Sequence, residues 1–371
     1  MSNRPWLDQM EVDGVTYDLK VANATPAVEG YGGNDLSEEF ANAAALHAAV
    51  NAGDFSKIHI GDFFPITLNG SFYDYSLYTV PAGTTYYSEA ALTTEVATTS
   101  AAMSGAYQSA TAVKIKIDST DYYVAIGDCT LGYEKTLSNA VMKMEVAAID
   151  PYINSGDSAL SAHHILMCSR DLLPPTLQMR SANSVWCDTA ATNPWLGSAL
   201  YKTLNDADST GYTGHGIIKL VEATALGPYV FKGPNNKGMR AYLATMAAGA
   251  ASPTGGAWAD RGRLFLPTER EVYGAPVQGA SNYMETGQLY NQWPIFVGST
   301  RHIVKGSGDG GSRTAWWLET AYSATYFASV YTTGFANSYY ASNAYRAPLC
   351  FLLTSTPYSA PFSGAHKGDL S

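Results

Sequence analysis

The 371-residue chain is 46% hydrophobic, which is enough apolar material for a substantial core and excludes a disordered protein. With only 15% charged residues and a net charge of −10, it lacks the basic surface that binding to nucleic acid requires. No apolar stretch reaches the roughly 20 residues of a membrane-spanning helix, so membrane insertion is not predicted either.

The first 53 residues are predicted to form an extended arm followed by a helix. Short alternating runs flank an Asp-Gly turn at 13–14, a pattern typical of a β-hairpin. A helix is predicted from Ser37 to Gly53, because Ser37 can cap the N-terminus and Gly53 can end the helix. An arm of this size buries little surface by itself, so we expect residues 1–53 to dock onto another subunit within a homo-oligomer.

The next segments alternate between apolar and polar residues and are predicted to be strands. The run that begins FSKIHIGDFF turns at Asn69-Gly70, which predicts a strand pair at that point. Residues 81–111 are rich in Thr, Ala and Ser, and we interpret them as an exposed insertion. A second strand pair is predicted around the Ser-Thr turn at 119–120, and further strands are predicted in VMKMEVAAID and HHILMCSRD.

The C-terminal half mixes short helices with strands. In NPWLGSALYKTLNDAD, Leu196, Leu200 and Leu204 recur every four residues, which predicts an amphipathic helix after the Asn-Pro pair. RGRLFLPTEREVYG predicts a strand that leads into a helix, with Thr268 as the N-cap and Glu271 completing a capping box. SRTAWWLE predicts another strand after a glycine-rich loop.

The cysteines and histidines do not form a recognisable catalytic or metal site. The four cysteines show neither a CxxC pair nor zinc-site spacing, and free thiols are expected, buried where the surroundings are apolar. They are Cys129, Cys168, Cys187 and Cys350. His163 and His164 are adjacent, and on a strand they would point to opposite faces, so we expect one of them to be buried and hydrogen-bonded. No catalytic residue, metal or cofactor is predicted.

Seven short motifs occur in an order that resembles a known family. FSKIHIGDFF, HHILM, WLGSALYKTLN, RLFLPTEREVYG, NQWPIF, AWWLETAY and YRAPLCFLL follow one another across residues 54–353. This order is similar to that of a domain-of-unknown-function family of gut bacteria and their phages, which carries WWLRSP- and GVRP-like motifs. That family is distantly similar to the C-type-lectin fold, shared by formylglycine-generating enzymes and by receptor-binding proteins of phages.

The resemblance implies an α+β fold with a C-type-lectin-like core of short mixed and antiparallel strands and a few helices. It implies three parts: an N-terminal arm and helix over 1–53, the lectin-like domain over 54–356 and a tail over 357–371. Glu319 stands where the family has an arginine after Trp-Trp-Leu, so any ion pair of that arginine must be absent or rebuilt. A lectin-type calcium site would need clustered oxygens, and Asp309, Glu319 and Asn337 do not form a tight cluster in the sequence.

Three residues of the last two motifs are expected to be structural. Trp316 and Trp317 should face opposite sides of a strand, one in the core and the other against a neighbouring loop or in solvent. Arg346, which precedes the last apolar run, is expected to make a structural ion pair or to bind backbone carbonyls.

The segment VYTTGFANSYYASNAY carries the candidate ligand-binding residues. Tyrosine offers a large and rigid contact area, and the small polar residues around it adapt to a partner, as in antibody loops. The alternative is a tyrosine-rich hairpin that packs on its own domain or on a neighbouring subunit. The candidates are Tyr331, Asn337, Tyr339, Tyr340, Asn343 and Tyr345.

These observations and the resemblance together predict a non-enzymatic phage virion protein, assembled in the host cytoplasm and released by lysis. It would be a head decoration, a head fibre, or a tail or baseplate adhesin. Its expected partners are other virion proteins, bound through the arm, and a host-surface glycan or protein. The alternatives are a bacterial surface carbohydrate-binding module, and an enzyme of the formylglycine type. The enzyme would need a second cysteine beside Cys350, and none is evident in the sequence.

Overall fold

The computed structural model describes most of the chain between residues 33 and 354, together with a short hairpin near the N-terminus. The described ranges are 9–12, 15–18, 33–153, 160–180, 193–208, 211–212, 214–233, 238–247, 250–279, 292–298, 300–308 and 311–354. Cys187, Asp309 and the tail predicted over 357–371 lie outside these ranges. No helix among the described residues is long and apolar enough to cross a membrane.

Short helices and a larger number of strands make up these ranges. The helices are α1 (Leu36–Glu39), α2 (Ala43–Ala52), α3 (Ala199–Asn205), α4 (Ile217–Glu222), α5 (Glu269–Tyr273) and α6 (Thr300–Ile303). The strands are β1 (Gln9–Val12), β2 (Val15–Asp18), β3 (Phe63–Val80), β4 (Thr85–Tyr87), β5 (Glu95–Thr98), β6 (Met103–Tyr107), β7 (Ala112–Ile117), β8 (Thr120–Ala125), β9 (Thr130–Ile149), β10 (Ile165–Ser169), β11 (Ala207–Asp208), β12 (Gly211–Tyr212), β13 (Arg240–Thr245), β14 (Gly255–Asp260), β15 (Trp316–Ala321), β16 (Tyr326–Val330), β17 (Ala336–Tyr340) and β18 (Cys350–Leu353). The ladders between the described strands are mostly antiparallel, and the α+β class predicted from the sequence is confirmed.

The largest sheet has the strand order β18-β10-β9-β3-β6-β7-β8-β4-β5 and is built on the long antiparallel pair β3 and β9. The strand pair predicted at Asn69-Gly70 is wrong, because β3 continues through this dipeptide and stays paired with β9 on both sides of it. The register shifts by one residue here, and Asn139 in β9 takes a left-handed φ of 49°. The side chain of Asn69 accepts the Asn139 backbone N–H at 3.2 Å, so the dipeptide lies opposite a β-bulge rather than in a turn.

The helix predicted from Ser37 to Gly53 is two helices. Asp35, not Ser37, caps α1, and its carboxylate accepts the Ser37 backbone N–H at 2.9 Å. The chain then becomes extended at Phe40, and the side chain of Asn42 caps α2 by accepting the Ala45 N–H. Gly53 ends α2 in the left-handed conformation with φ 68°, as predicted.

The start of α3 differs from the sequence prediction, whereas the start of α5 agrees with it. α3 begins at Ala199, later than the Asn-Pro pair predicts, because the Ser198 hydroxyl accepts the Tyr201 N–H and sets the cap there. The capping box of Thr268 and Glu271 is confirmed at the start of α5. The strand predicted before it is reduced to a single bridge between Phe265 and Cys350.

Two predicted hairpins are present. β1 pairs with β2, and β7 pairs with β8 around Asp118 and Ser119, both with positive φ, one residue before the predicted turn. Residues 81–111, interpreted as an exposed insertion, contain β4, β5 and β6 of the large sheet, and β5 is exposed along its whole length.

The sheet contributes to two separate apolar clusters. The main core includes buried residues of β3, β9, β10 and β18, and the helices α3 and α4 pack against β3. A second cluster of Val80, Val113, Ile115 and Val124 lies in the other half of the sheet, which we call the β-wing and define as β4 to β8 with the adjoining end of β3. The main core also includes buried residues of β13, β15 and β16, whereas the described residues of the β-wing form a small apolar cluster of their own.

Candidate binding face

The tyrosine-rich segment folds into the sheet β15-β16-β17, in that order. β16 and β17 form a hairpin in which Gly334 donates its N–H to Tyr331 and Tyr331 donates its own to Phe335, both at 2.8 Å. Gly334 has a φ of 90°, a conformation that side chains other than glycine's rarely adopt. Because side chains alternate along a strand, this hairpin divides its tyrosines between two faces.

Five of the six candidates predicted from the sequence lie close together: Tyr331, Asn337 and Tyr339 on one side of the hairpin, and Asn343 and Tyr345 in the segment after it. Tyr339 and Tyr345 are partly buried and pack against the main core. Tyr339 and Asn337 are two residues apart on β17, and the ring of Tyr339 lies 4.7 Å from that of Tyr345. Burial raises the pKa of Tyr345 to about 12, and the hydroxyl of Tyr339 and the negative potential of Tyr331 act in the same direction. The Asn343 side chain also hydrogen-bonds with Tyr345. We call this group, with Phe335, the tyrosine face: Tyr331, Phe335, Asn337, Tyr339, Asn343 and Tyr345.

Tyr340, the sixth candidate, lies on the opposite face and belongs to a different cluster. It is the direct partner of Tyr326 across β16 and β17, with ring centroids 4.2 Å apart. A hydrogen bond between the two hydroxyls raises the pKa of Tyr326. The ring centroid of Tyr322 lies 6.3 Å from that of Tyr326. The structure therefore separates Tyr340 from the other candidates.

Phe335 belongs to the same tyrosine-rich segment but was not among the predicted candidates. It is the most exposed large apolar residue among those described, with 74% of its surface accessible. Tyr322 and Tyr326 were not among the candidates either. The available signal was the alternation along β17, since Phe335, Asn337 and Tyr339 share one parity and Tyr340 has the other.

A buried layer of aromatic residues supports the tyrosine face. Tyr345 packs edge-on against Trp317 at 5.1 Å, and Trp317 donates its indole N–H to the carbonyl of Leu177 at 3.0 Å. Trp316 donates to the carbonyl of Ile303 at the same distance. Both tryptophans are fully buried, so neither is exposed to solvent, and Trp317 lies against the connecting segments that contain Leu177 and Tyr345. Arg346 donates to the carbonyl of Leu173 at 3.1 Å.

Glu319, the residue after Trp-Trp-Leu, belongs to a buried ion-pair cluster. The guanidinium of Arg261 donates to Glu319 through Nε at 3.0 Å, and to both carboxylate oxygens of Glu271 at 2.8 Å and 2.5 Å. All three side chains are almost wholly buried. Although burial opposes it, the two carboxylates raise the pKa of Arg261 well above its usual value. Glu319 is thus committed to the core and does not contribute to a calcium site.

The tyrosine face carries no charged side chain. Its hydroxyl and amide groups can donate and accept hydrogen bonds. Among the described residues, no group of three or more His, Cys, Asp or Glu side chains is placed to hold a metal ion.

His163 and His164 precede β10 rather than lying in it, so the strand argument for their opposite orientations was wrong. His164 is fully buried, and its Nε2 accepts the Tyr152 backbone N–H at 3.2 Å. Its proton must then be on Nδ1, which donates to the carbonyl of Ala162 at 3.0 Å. His163 is half-exposed, and its Nδ1 lies 2.6 Å from Asp150.

We expect the buried His164 to make the protein less stable in mild acid. Burial lowers the pKa of His164, so the unfolded chain takes up a proton as the pH falls through about 6.5 while the folded chain does not. The free energy of unfolding should therefore decrease between about pH 7.5 and pH 5.5, as measured by urea denaturation. In His164→Gln this decrease should be smaller. If the free energy of unfolding changed with pH equally in the two proteins, burial of a neutral His164 would not be the cause of the decrease.

No protein-family model, curated protein or solved structure matches the chain. The fold and the face define a β-rich α+β protein that presents an uncharged aromatic surface on a sheet anchored in its main core.

Proposed function

We propose that this chain is a non-enzymatic binding protein that presents the tyrosine face to a carbohydrate. One observation carries the proposal: the candidates Tyr331, Tyr339, Asn343 and Tyr345 lie together in an uncharged cluster, and the buried Trp317 packs against Tyr345. Such support fixes the rings before a ligand arrives, which reduces the entropy lost on binding.

The chemistry of the tyrosine face suits an uncharged sugar. The apolar side of a sugar ring packs on the flat faces of exposed aromatic rings, here Tyr331 and Phe335. The amides of Asn337 and Asn343 offer both donors and acceptors to sugar hydroxyls. A strongly anionic ligand would instead favour arginine and lysine, and the six residues of the face include neither.

For the biological setting, we propose a surface protein of a phage virion, as a head decoration, head fibre or tail adhesin. The order of motifs over residues 54–353 supports this setting, because it resembles a phage and gut-bacterial family with a distant C-type-lectin-like core. In this proposal the core of the present chain belongs to that fold. The N-terminal arm would attach the chain to other virion proteins and to further copies of itself. The expected docking role does not extend over all of residues 1–53, because Leu36 of α1 and Leu46 and Val50 of α2 are buried in the chain's own main core.

The carbohydrate proposal predicts a difference between two exposed tyrosines. Tyr331 and Tyr340 are each 42% exposed, but they lie on opposite faces of the hairpin. On an array of neutral glycans, Tyr331→Ala should weaken binding about tenfold, as the loss of one aromatic contact implies. Tyr340→Ala is the matched control and should bind like the wild type. Equal losses in both variants, or no binding of any neutral glycan by the wild type, would overturn the proposal.

The virion setting has a separate test. Mass spectrometry of purified virions of the phage that carries the gene should find the chain in stoichiometric amounts. If it is missing from virions while the glycan binding persists, a bacterial surface carbohydrate-binding module becomes the better assignment.

A further inference from the structure

Cys168 and Cys350 are direct partners on the neighbouring antiparallel strands β10 and β18. They are about 180 residues apart in the chain, so no local pattern brings them together. The sequence expectation that Cys350 has no cysteine neighbour is therefore wrong. Both thiols are free in this structure, and both are buried in the main core.

The register of the two strands places these cysteines at a position that suits a disulfide. Ser169 donates its backbone N–H to the carbonyl of Leu349 at 2.8 Å, so Ser169 and Leu349 form a hydrogen-bonded pair. The adjacent pair, Cys168 and Cys350, is then a non-hydrogen-bonded pair, in which the Cα atoms are about 4.5 Å apart and the side chains are closest. Disulfides accept Cα separations of about 4.4–6.8 Å.

The surroundings of the two sulfurs favour a thiolate on Cys168. A hydrogen bond with Cys350 lowers the pKa of the Cys168 thiol against the effect of burial, and the nearby ammonium of Lys305 lowers it further. Lys305 is itself buried, and its Nζ donates to the carbonyl of Ser169 at 2.6 Å. In the folded protein, burial raises the pKa of Cys350 well above its usual value.

We propose that Cys168 and Cys350 form a cross-strand disulfide when the chain folds in the presence of a small-molecule disulfide such as oxidised glutathione. The thiolate of one cysteine attacks one sulfur of the oxidant and releases one glutathione thiolate, which takes up a proton. The other cysteine gives up its proton to solvent and attacks the first in the mixed disulfide, releasing the second glutathione thiolate, which also takes up a proton. Two electrons pass from the cysteines to the oxidant. Because both sulfurs are buried in the folded protein, the exchange takes place before β18 docks on β10.

Peptide mapping of the refolded full-length chain tests this proposal. The chain is refolded in a mixture of reduced and oxidised glutathione, alkylated in denaturant and digested without reduction. We expect a peptide that links Cys168 to Cys350 and a melting temperature about 5 °C above that of the fully reduced protein. Recovery of both cysteines in alkylated form would overturn the proposal, as would a link from either one to Cys129 or Cys187.

Two variants serve as controls. Cys129 lies in the β-wing half of the molecule, and burial raises the pKa of its thiol to about 11, so Cys129→Ala should retain the link and the higher melting temperature. Cys350→Val fills a similar volume, and its melting temperature should not respond to the glutathione mixture. A response in Cys350→Val equal to that of the wild type would contradict the assignment.

Discussion

Replacing Arg261 with leucine is expected to lower the free energy of unfolding by about 3–5 kcal/mol. The substitution removes a guanidinium that pairs with two buried carboxylates, those of Glu271 and Glu319. Each would remain in a dry environment without its charged partner, and both would have to take up a proton or recruit water. Urea denaturation of the variant and the wild type at neutral pH measures the loss.

Arg263→Leu is the matched control for Arg261→Leu. Arg263 is also buried, but its partner Glu222 is 41% exposed and stays hydrated when the arginine is removed. The decrease in the free energy of unfolding of Arg263→Leu should be clearly smaller, about 1–2 kcal/mol, because this substitution mainly removes the hydrogen bonds that Arg263 donates. Equal losses for the two variants would show that the buried carboxylates do not determine the effect.

Trp317→Ala is expected to destabilise the protein by about 3–5 kcal/mol and to weaken glycan binding as well. The substitution opens a cavity below Tyr345 and removes the hydrogen bond to the Leu177 carbonyl. The tyrosine face then loses its rigid support even though none of its own residues has changed. Calorimetry gives the stability, and titration of the folded variant with a bound glycan gives the affinity.

Phe335→Ala is expected to weaken glycan binding without destabilising the protein. Because the ring is 74% exposed, its removal should change the free energy of unfolding by no more than about 0.5 kcal/mol. It should still weaken glycan binding, since the ring belongs to the tyrosine face. A large stability loss in this variant, or full binding by Trp317→Ala, would contradict the division between support and contact.

Local features of the fold could be read from the sequence where one short segment determines them. The capping box at Thr268 and the left-handed end of α2 at Gly53 depend on a few neighbouring residues. The Asn69-Gly70 dipeptide shows the limit, because the same two residues suit a hairpin turn or a bulge. The choice depended on whether β9 would pair across them, and β9 lies far away in the sequence.

The candidate face could be located from its composition but not divided correctly. The tyrosine-rich segment indicated the right hairpin, whereas the assignment of Tyr340 to the same surface as Tyr339 ignored the alternation along β17. The partner of Cys350 and the ion pair of Glu319 depend on strand and helix positions that no local pattern specifies.

The long strands β3 and β9 have a mechanical consequence. They run from the main core into the β-wing without interruption of the chain, and their hydrogen bonds lie perpendicular to the strand direction. A pull on the β-wing along the strands would be carried by the two covalent backbones together and would not load the hydrogen bonds between them one by one. Unzipping them one after another would require a pull across the strands. The molecule should therefore resist tension along one axis much better than along the other.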